Sequence, residues 1–193
     1  MSQYGYVGII GVGMIGYRFT RKFLEAGFSV AVYDSDTAKM EAAREIGATI
    51  ASSPKGVAER VEAILLCLPG SPAVEAAMNG SDGILAGIKK DQIVIDTGTT
   101  RPATDIEYAA KVRERGGCMV DAPITGRRNG FIIMVGGTKE DFRKAEPFLK
   151  IVGYKVVHVG ALGYGQRLKL VNQFILAGKI AVYAEAASTA RNM

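Results

Sequence analysis

The chain has 193 residues, of which 48% are hydrophobic, 22% are charged and 24 are glycine. This composition is typical of a soluble globular protein and excludes disordered, fibrous and disulfide-stabilised classes. No apolar stretch approaches the roughly 20 uninterrupted residues of a membrane helix, so membrane binding is not expected. Residues 1–6 lack the basic start of a signal peptide, and glycines interrupt the apolar run that follows. We therefore expect a cytoplasmic protein.

Positive charge is concentrated in the last third of the chain. Residues 127–193 carry 11 Lys and Arg against 4 Asp and Glu, whereas residues 1–126 carry 13 against 15. Such a basic segment can meet nucleic acid, a small anion or an acidic protein surface. Because the lysines and arginines neither cluster nor alternate with aromatic residues, nucleic acid is not the expected partner.

Residue types that bind metals are sparse. Cys67 and Cys118 are the only cysteines, and neither belongs to a CxxC motif or has a histidine near it. Both are expected to be small buried side chains. His158, the only histidine, lies in an apolar run and is expected to be an ordinary strand residue. The sequence therefore predicts no metal site.

Short apolar runs alternate with segments of helical spacing along most of the chain. Strands are predicted at residues 6–10, 28–33, 48–51, 63–68, 92–95, 118–121, 131–135 and 155–159. Helices are predicted at residues 14–26, 36–46, 72–78, 102–115 and 139–149, with a further helix opening at Ser53 and Pro54. This alternation predicts an α/β protein with a doubly wound, mostly parallel sheet.

Residues 163–193 are predicted to form one long helix that follows the sheet. Its apolar side chains point in nearly all directions, and a helix that is apolar all round needs a cover. Gln166, Lys169, Asn172 and Gln173 share one face. Such a polar stripe is either a solvated surface or part of a site, and the spacing leaves both open. In a site, Lys169 can transfer a proton if burial lowers its pKa.

A glycine cluster follows the first predicted strand and opens the first predicted helix. It runs from Gly11 through Gly13 to Gly16 and includes Met14 and Ile15. Gly11 permits a tight turn, Gly13 lets backbone N–H groups approach a pyrophosphate, and Gly16 lets the helix pack on the strand. The N-terminus of the helix adds a positive dipole end for phosphates. In this context the cluster predicts a Rossmann sheet that binds a dinucleotide.

An acidic residue stands where such a site meets the adenine ribose. Asp34 ends the second predicted strand. Its carboxylate can accept hydrogen bonds from both ribose hydroxyls and would repel a 2′-phosphate, which favours NAD over NADP. Enzymes that use S-adenosylmethionine also combine a glycine turn with an acid after the second strand, so these two features leave that cofactor open.

Three later loops end strands at the same predicted edge of the sheet, where open parallel sheets bind ligands. They span residues 68–72, 96–100 and 121–126. The last of them offers backbone N–H groups and the Thr125 hydroxyl to a carboxylate. Their Pro, Gly and Thr content also suits ordinary turns.

Six motifs, in this order, resemble the β-hydroxyacid dehydrogenase family. They are Gly11-Val-Gly-Met-Ile-Gly16, Leu68-Pro-Gly-Ser-Pro72, Asp96-Thr-Gly-Thr-Thr-Arg-Pro102, Asp121-Ala-Pro-Ile-Thr-Gly126, Ile133-Met-Val-Gly-Gly137 and Gly163-Tyr-Gly-Gln-Arg-Leu-Lys-Leu-Val-Asn172. The resemblance covers essentially the whole chain. It implies hydride transfer between NAD and a small anionic β-hydroxy acid similar to 3-hydroxyisobutyrate.

The resemblance also assigns roles to particular residues. Lys169 falls on the family's catalytic lysine, the acid/base that exchanges a proton with the substrate. Four residues fall on substrate-binding positions: Thr125, Gly126, Asn172 and Gln173. Three more fall on positions that contact the cofactor: Leu68, Pro69 and Thr99.

The sequence departs from the family pattern in three ways. The loop at residues 127–130 is shorter than usual, and its two arginines could clamp a carboxylate or block the pocket. Gln173 stands where the family has asparagine. Family members continue after the long helix into an all-α domain that closes the site and builds much of a dimer interface, whereas this chain stops inside that helix.

These departures leave two hypotheses for function. We expect an NAD-binding Rossmann domain at residues 1–162 and the start of an otherwise missing helical domain at residues 163–193. The first hypothesis is an NAD-dependent dehydrogenase that is completed by homodimerisation through the long helix. The second is a non-catalytic or truncated NAD-binding module that pairs with a partner through the same helix.

Overall fold

The computed structural model describes residues 5–126 and 130–193. The strands are β1 (Tyr6–Ile10), β2 (Ser29–Tyr33), β3 (Thr49–Ile50), β4 (Ala63–Leu66), β5 (Ile93–Asp96), β6 (Cys118–Asp121), β7 (Ile124–Thr125), β8 (Phe131–Gly136) and β9 (Gly153–Gly160). The helices are α1 (Met14–Glu25), α2 (Thr37–Glu45), α3 (Pro54–Ala58), α4 (Ser71–Met78), α5 (Ile84–Gly87), α6 (Pro102–Arg113), α7 (Lys139–Val152) and α8 (Tyr164–Arg191). The predicted arginine clamp falls at residues 127–129, outside the described residues.

The central part of the sheet is parallel and doubly wound. Its strands lie in the order β3-β2-β1-β4-β5-β6, and each neighbouring pair is parallel. This is the strand order of dinucleotide-binding sheets, in which strands are added first on one side of β1 and then, from β4, on the other side. The predicted fold class is confirmed, and the change of side opens a crevice at the carboxyl ends of β1 and β4.

An antiparallel hairpin extends the sheet beyond β6. Asp121 pairs with Gly136, and Thr125 pairs with Ile132, so β6 and β7 continue in one register along β8. β9 pairs in parallel with β8 through Ile132 and its neighbours, on the side away from β7. β7 has two residues and α5 has four, too few for a hydrophobic period, so neither was predicted from the sequence.

Helices cover both faces of the sheet. Leu65 of β4 packs in one apolar cluster with Phe19 and Phe23 of α1, while Leu66 packs on the other face with Met78 of α4. All five side chains are buried. A strand covered on both faces has no polar side, which is why residues 63–68 read as a continuous apolar run.

Helix α8 is packed at its start and exposed beyond it. Its buried residues are Gly165, Gln166 and Lys169. Phe174 is 83% exposed and Tyr183 is 75% exposed. The predicted need for a cover is therefore unmet within the part of the chain that the structure describes. None of the described helices combines the length and apolar character that crossing a membrane requires.

Candidate active site

The glycine loop between β1 and α1 is closed by its own backbone. Gly11 has a φ of +89°, a conformation that favours glycine. A Cβ on Gly16 would lie 1.9 Å from the carbonyl oxygen of Gly11, so the helix can start this close to the strand only with glycine there. Both residues are required by the loop itself.

Gly13 has a different reason to be glycine. A Cβ built on it meets no atom of the described residues within 4 Å, and its φ of −68° suits any residue. Gly13 is also the N-cap of α1, and no side chain caps the helix there. The N-terminal N–H groups of α1 therefore face open space, which fits a pyrophosphate. Met14 and Ile15 are the first two residues of α1 and carry N–H groups of this open end.

The Asp34 carboxylate bonds to the glycine loop as well as facing the nucleotide edge. Its Oδ2 accepts a hydrogen bond from the backbone N–H of Val12 at 2.6 Å, and its Oδ1 accepts one from Asp36 N–H at 2.9 Å. A carboxylate has about four acceptor sites, so both oxygens can still accept ribose hydroxyls. The contact with Val12 gives Asp34 a structural role that the sequence did not reveal.

The ends of β4 and β5 complete this edge of the sheet. A Cβ on Gly11 would lie 3.0 Å from Cδ2 of Leu68, and one on Gly98 would lie 2.6 Å from the carbonyl oxygen of Leu68. Thr99 and Pro69 are both exposed beside them. Leu68 therefore joins the glycine loop to the loop that follows β5.

The start of α8 lies against β7. Lys169 is 8% exposed, and its ammonium donates a hydrogen bond to the carbonyl oxygen of Ile124 at 2.8 Å. Burial lowers the pKa of Lys169 from its ordinary value. Asn172 donates from Nδ2 to Oγ1 of Thr125 at 3.2 Å. Two predicted substrate residues and the predicted catalytic lysine thus meet in one place.

These groups line a cavity of about 550 Å³ between α1, the β7–β8 hairpin and α8. Its described lining residues are Ile15, Ile124, Thr125, Gly126, Phe131, Lys169, Asn172, Gln173, Ile175, Leu176 and Lys179. The volume lies in the range typical of small-molecule sites. Because Ile15 belongs to the first turn of α1, the cavity adjoins the glycine loop.

Gln166 connects α8 to the loop after β5. Its side-chain oxygen accepts a hydrogen bond from Thr100 N–H at 3.1 Å, and its amide nitrogen donates to Gly98 O at 3.2 Å. Asp121 accepts from the backbone N–H groups of Gly163 and Gln166, each at 2.7 Å. The Asp121 carboxylate thus binds the N-terminus of α8, where negative charge is favourable. These contacts determine where Lys169 lies.

Three buried carboxyl groups stand behind this contact. Asp96, Asp105 and Asp121 are each 0% exposed. Thr100 and the Gly98 N–H donate to Asp96, whereas both oxygens of Asp105 lack a hydrogen-bond partner among the described residues. Burial, and then the charge of Asp96, raise the pKa of Asp105 to about 10. At neutral pH Asp105 is therefore protonated.

The sequence did not predict the role of Asp105 and predicted only part of the role of Gln166. Gln166 was recognised only as part of the polar stripe on the long helix. Asp105 lies on the same helical face as Tyr108, Ala109 and Val112, which are buried with it. That spacing of three, four and seven residues could have predicted a buried acid.

His158, Cys67 and Cys118, the other residue types that can bind metals, have surroundings that suit structural roles. His158 lies with Nε2 2.8 Å from the carbonyl oxygen of Gly137 and stacks on Phe142. Burial raises the pKa of Cys67 to about 12 and that of Cys118 to about 11, so both remain thiols. Across residues 5–126 and 130–193, no three His, Cys, Asp or Glu side chains are grouped to hold a metal ion.

The sheet order, the glycine loop and the acid at the end of β2 together define a dinucleotide-binding domain of the Rossmann class. Residues 6–160 match the family described as the NAD binding domain of 6-phosphogluconate dehydrogenase, and the chain belongs to that family. The match ends close to the start of α8 at Tyr164.

Similar proteins support the predicted resemblance. Mitochondrial 3-hydroxyisobutyrate dehydrogenase of Mus musculus is 34% identical in an alignment of 185 residues that covers 93% of this chain and 55% of that protein. 2-(Hydroxymethyl)glutarate dehydrogenase of Eubacterium barkeri is 32% identical, over 93% of this chain and 62% of its own length. This chain thus spans little more than half of each.

A solved structure gives the same picture. 3-Hydroxyisobutyrate dehydrogenase of Mycobacterium tuberculosis, solved with L-serine, superposes with a TM-score of 0.85 at 28% identity. The superposition covers 94% of this chain and 63% of that one. The predicted resemblance to β-hydroxyacid dehydrogenases is confirmed, and it covers nearly all of this chain.

Proposed function

We propose that this protein takes part in hydride transfer between NAD and a small anionic β-hydroxy acid similar to 3-hydroxyisobutyrate. The observation that carries the proposal is the position of Lys169. This buried lysine lines a cavity that also contains Thr125 and Asn172 and that adjoins the first turn of α1 at Ile15. One proton-transfer group and one carboxylate site beside a dinucleotide are what the reaction requires.

Residues of the crevice would hold the cofactor. The open N-terminus of α1 at Gly13 and Met14 suits the pyrophosphate, and Asp34 suits the adenine ribose. Leu68, Pro69 and Thr99, at the ends of β4 and β5, would contact the rest of the cofactor. When bound, NAD supplies the acceptor for the hydride that leaves the carbon of the hydroxy acid. The charge of Asp34 supports NAD rather than NADP.

Lys169 handles the proton that accompanies the hydride. In the oxidation direction, the neutral amine of Lys169 takes the proton of the substrate hydroxyl as the carbonyl forms. In the reverse direction, the ammonium returns that proton to the carbonyl oxygen. Burial lowers the pKa of Lys169 and so increases the fraction of neutral amine near neutral pH.

Thr125, Gly126, Asn172 and Gln173 would hold the substrate carboxylate. Thr125 Oγ1 accepts a hydrogen bond from Asn172, so the hydroxyl hydrogen of Thr125 is free to donate to an anion. Gly126 has a φ of +90°, and a Cβ there would lie 2.8 Å from Gly130 O, so this turn depends on glycine. The net positive charge of residues 127–193 also favours an anionic substrate.

The exposed apolar side chains of α8 support a further proposal, that a second copy of this chain covers the helix. We assign residues 1–162 to the NAD-binding domain and residues 163–193 to the start of a helical unit. Phe174, Ile180 and Tyr183 are each more than half exposed. A homodimer formed through this helix would bury them and wall the open side of the cavity. The alternative is an NAD-binding module that pairs with a different partner through the same surface.

The test measures cofactor binding and turnover separately. The protein is titrated with NAD and with NADP, and NADH formation is then followed with a panel of 3-hydroxy acids. We expect NAD to bind more tightly than NADP. Lys169→Ala should lower turnover by at least about 100-fold while NAD binding stays unchanged, because Lys169 acts on the substrate.

Lys150→Ala is the matched control, because Lys150 is an exposed lysine on α7 whose ammonium pairs with Glu146. It should leave both quantities unchanged. NAD binding without turnover on any hydroxy acid would contradict the dehydrogenase proposal and favour the binding module. A preference for NADP would contradict the role of Asp34.

A further inference from the structure

The cavity has a second lysine on its wall. Lys179 lines it together with Ile175 and Leu176, and it follows Lys169 by ten residues along α8. Nothing in the reaction described above uses this residue. A hydroxy acid with a single carboxylate bound at Thr125 has no second negative charge that could pair with Lys179.

The helix geometry brings the Lys179 side chain towards the substrate position. Lys179 follows Asn172 by two turns of α8, a rise of about 10 Å along the axis. Side chains of a helix lean towards its N-terminus, so the Lys179 chain extends back over the turn that contains Ile175 and Leu176. Lys179 and Asn172 therefore share a face of α8, and both line the cavity.

Lys179 has no acidic partner among the described residues. Among residues 5–126 and 130–193, Lys179 has no hydrogen bond or ion pair. The described lining of the cavity includes two lysines and no acidic residue. Glu185 is the only acidic residue of α8, and its six-residue separation puts it on a different face from Lys179.

We propose that Lys179 forms a second anion subsite, so that the preferred substrate is a β-hydroxy acid with an additional anionic group, such as a dicarboxylate. This inference rests on the proposed function and specifies its substrate class. The first carboxylate binds at Thr125 and Asn172, and the second pairs with Lys179. The volume of about 550 Å³ leaves room for the longer molecule.

The experiment measures binding, which does not require turnover. The protein saturated with NADH is titrated with butyrate and with glutarate, an unreactive pair that differs by the second carboxylate. We expect glutarate to bind about fivefold more tightly, the factor that a partly exposed ion pair provides. Lys179→Gln should remove this preference, and Lys179→Arg should retain it.

Arg191→Gln is the matched control, because it removes one positive charge from the far end of α8. It should leave the preference for glutarate unchanged. Equal binding of the two probes to the unaltered protein, or a preference that persists in Lys179→Gln, would overturn the inference. The same holds if Arg191→Gln lowers the preference as much as Lys179→Gln, because the effect would then reflect net charge.

The two proposals fail in different ways. If 3-hydroxyisobutyrate is oxidised but glutarate has no advantage, the dehydrogenase stands and the second subsite is wrong. If glutarate binds through Lys179 but no hydroxy acid reduces NAD, the subsite stands and the reaction is wrong.

Discussion

The glycine loop and helix α8 differ in how completely this chain builds them. In the loop, Gly11, Gly16 and Asp34 are held by backbone contacts to neighbouring parts of the same crevice. In α8, Gln166 and Lys169 are buried, but the helix beyond Phe174 is exposed. The glycine loop is thus fixed by contacts within the described chain, whereas much of α8 has no neighbour there.

This difference indicates that cofactor binding and substrate binding depend on different contacts. Cofactor binding relies on a local turn and should survive changes in α8. Substrate binding relies on the contact between the start of α8 and the loops after β5 and β6, where Gln166 and Asp121 join them. The two regions should therefore respond separately to mutation.

The largest expected effect is in the glycine loop. Gly16→Ala forces a Cβ to within 1.9 Å of Gly11 O, so the backbone has to move. We expect the free energy of unfolding to fall by about 2–3 kcal/mol, the upper part of the range for overpacked sites, together with loss of NAD binding. Urea unfolding and NAD titration measure the two effects.

Gly13→Ala should separate the effect on NAD binding from the effect on stability. Its Cβ meets no described atom, so the free energy of unfolding should fall by less than about 1 kcal/mol while NAD affinity drops. Unchanged NAD affinity in Gly13→Ala would show that the open space at α1 does not hold the pyrophosphate.

The next effect concerns the buried acid behind α8. The raised pKa of Asp105 means that the folded protein keeps this proton between pH 3.8 and about 10, while the unfolded chain releases it. The unfolded state then binds fewer protons, so the free energy of unfolding falls as the pH rises through this window. One proton corresponds to a slope of about 1.4 kcal/mol per pH unit.

Asp105→Asn removes this proton and keeps the shape of the side chain. Between pH 7 and pH 8 the unaltered protein should lose up to about 1.4 kcal/mol more than the variant, measured by urea unfolding at each pH. Parallel slopes for the two proteins would mean that Asp105 is ionised in the folded state.

The smallest expected effect on stability is at the exposed part of α8. Phe174 is 83% exposed, so Phe174→Ser should change the free energy of unfolding by less than about 0.5 kcal/mol. It should, however, weaken self-association in sedimentation experiments if a second copy covers the helix. A protein that is monomeric at micromolar concentration before the change would contradict the dimer proposal.

Sequence patterns predicted most strands and helices because their periods are long enough to detect. The helix starts predicted at Asp36 and at Ser53–Pro54 are confirmed, and the Asp36 and Ser53 side chains accept hydrogen bonds from Ala38 N–H and Gly56 N–H. The β7 strand was missed because two residues have no period. Gln173 was predicted at the substrate site; it lines the cavity, and its contact with substrate remains a prediction.

The sequence by itself determined the glycine loop and its acid, because a tight turn and a helix start depend on local backbone conformation and on the residues that permit it. Only the tertiary structure decided the surroundings of Lys169 and Asp105. Burial and proximity depend on which elements the fold brings together. No spacing along the chain revealed that Ile15, Thr125 and Lys179 share one cavity, because three separate elements contribute them.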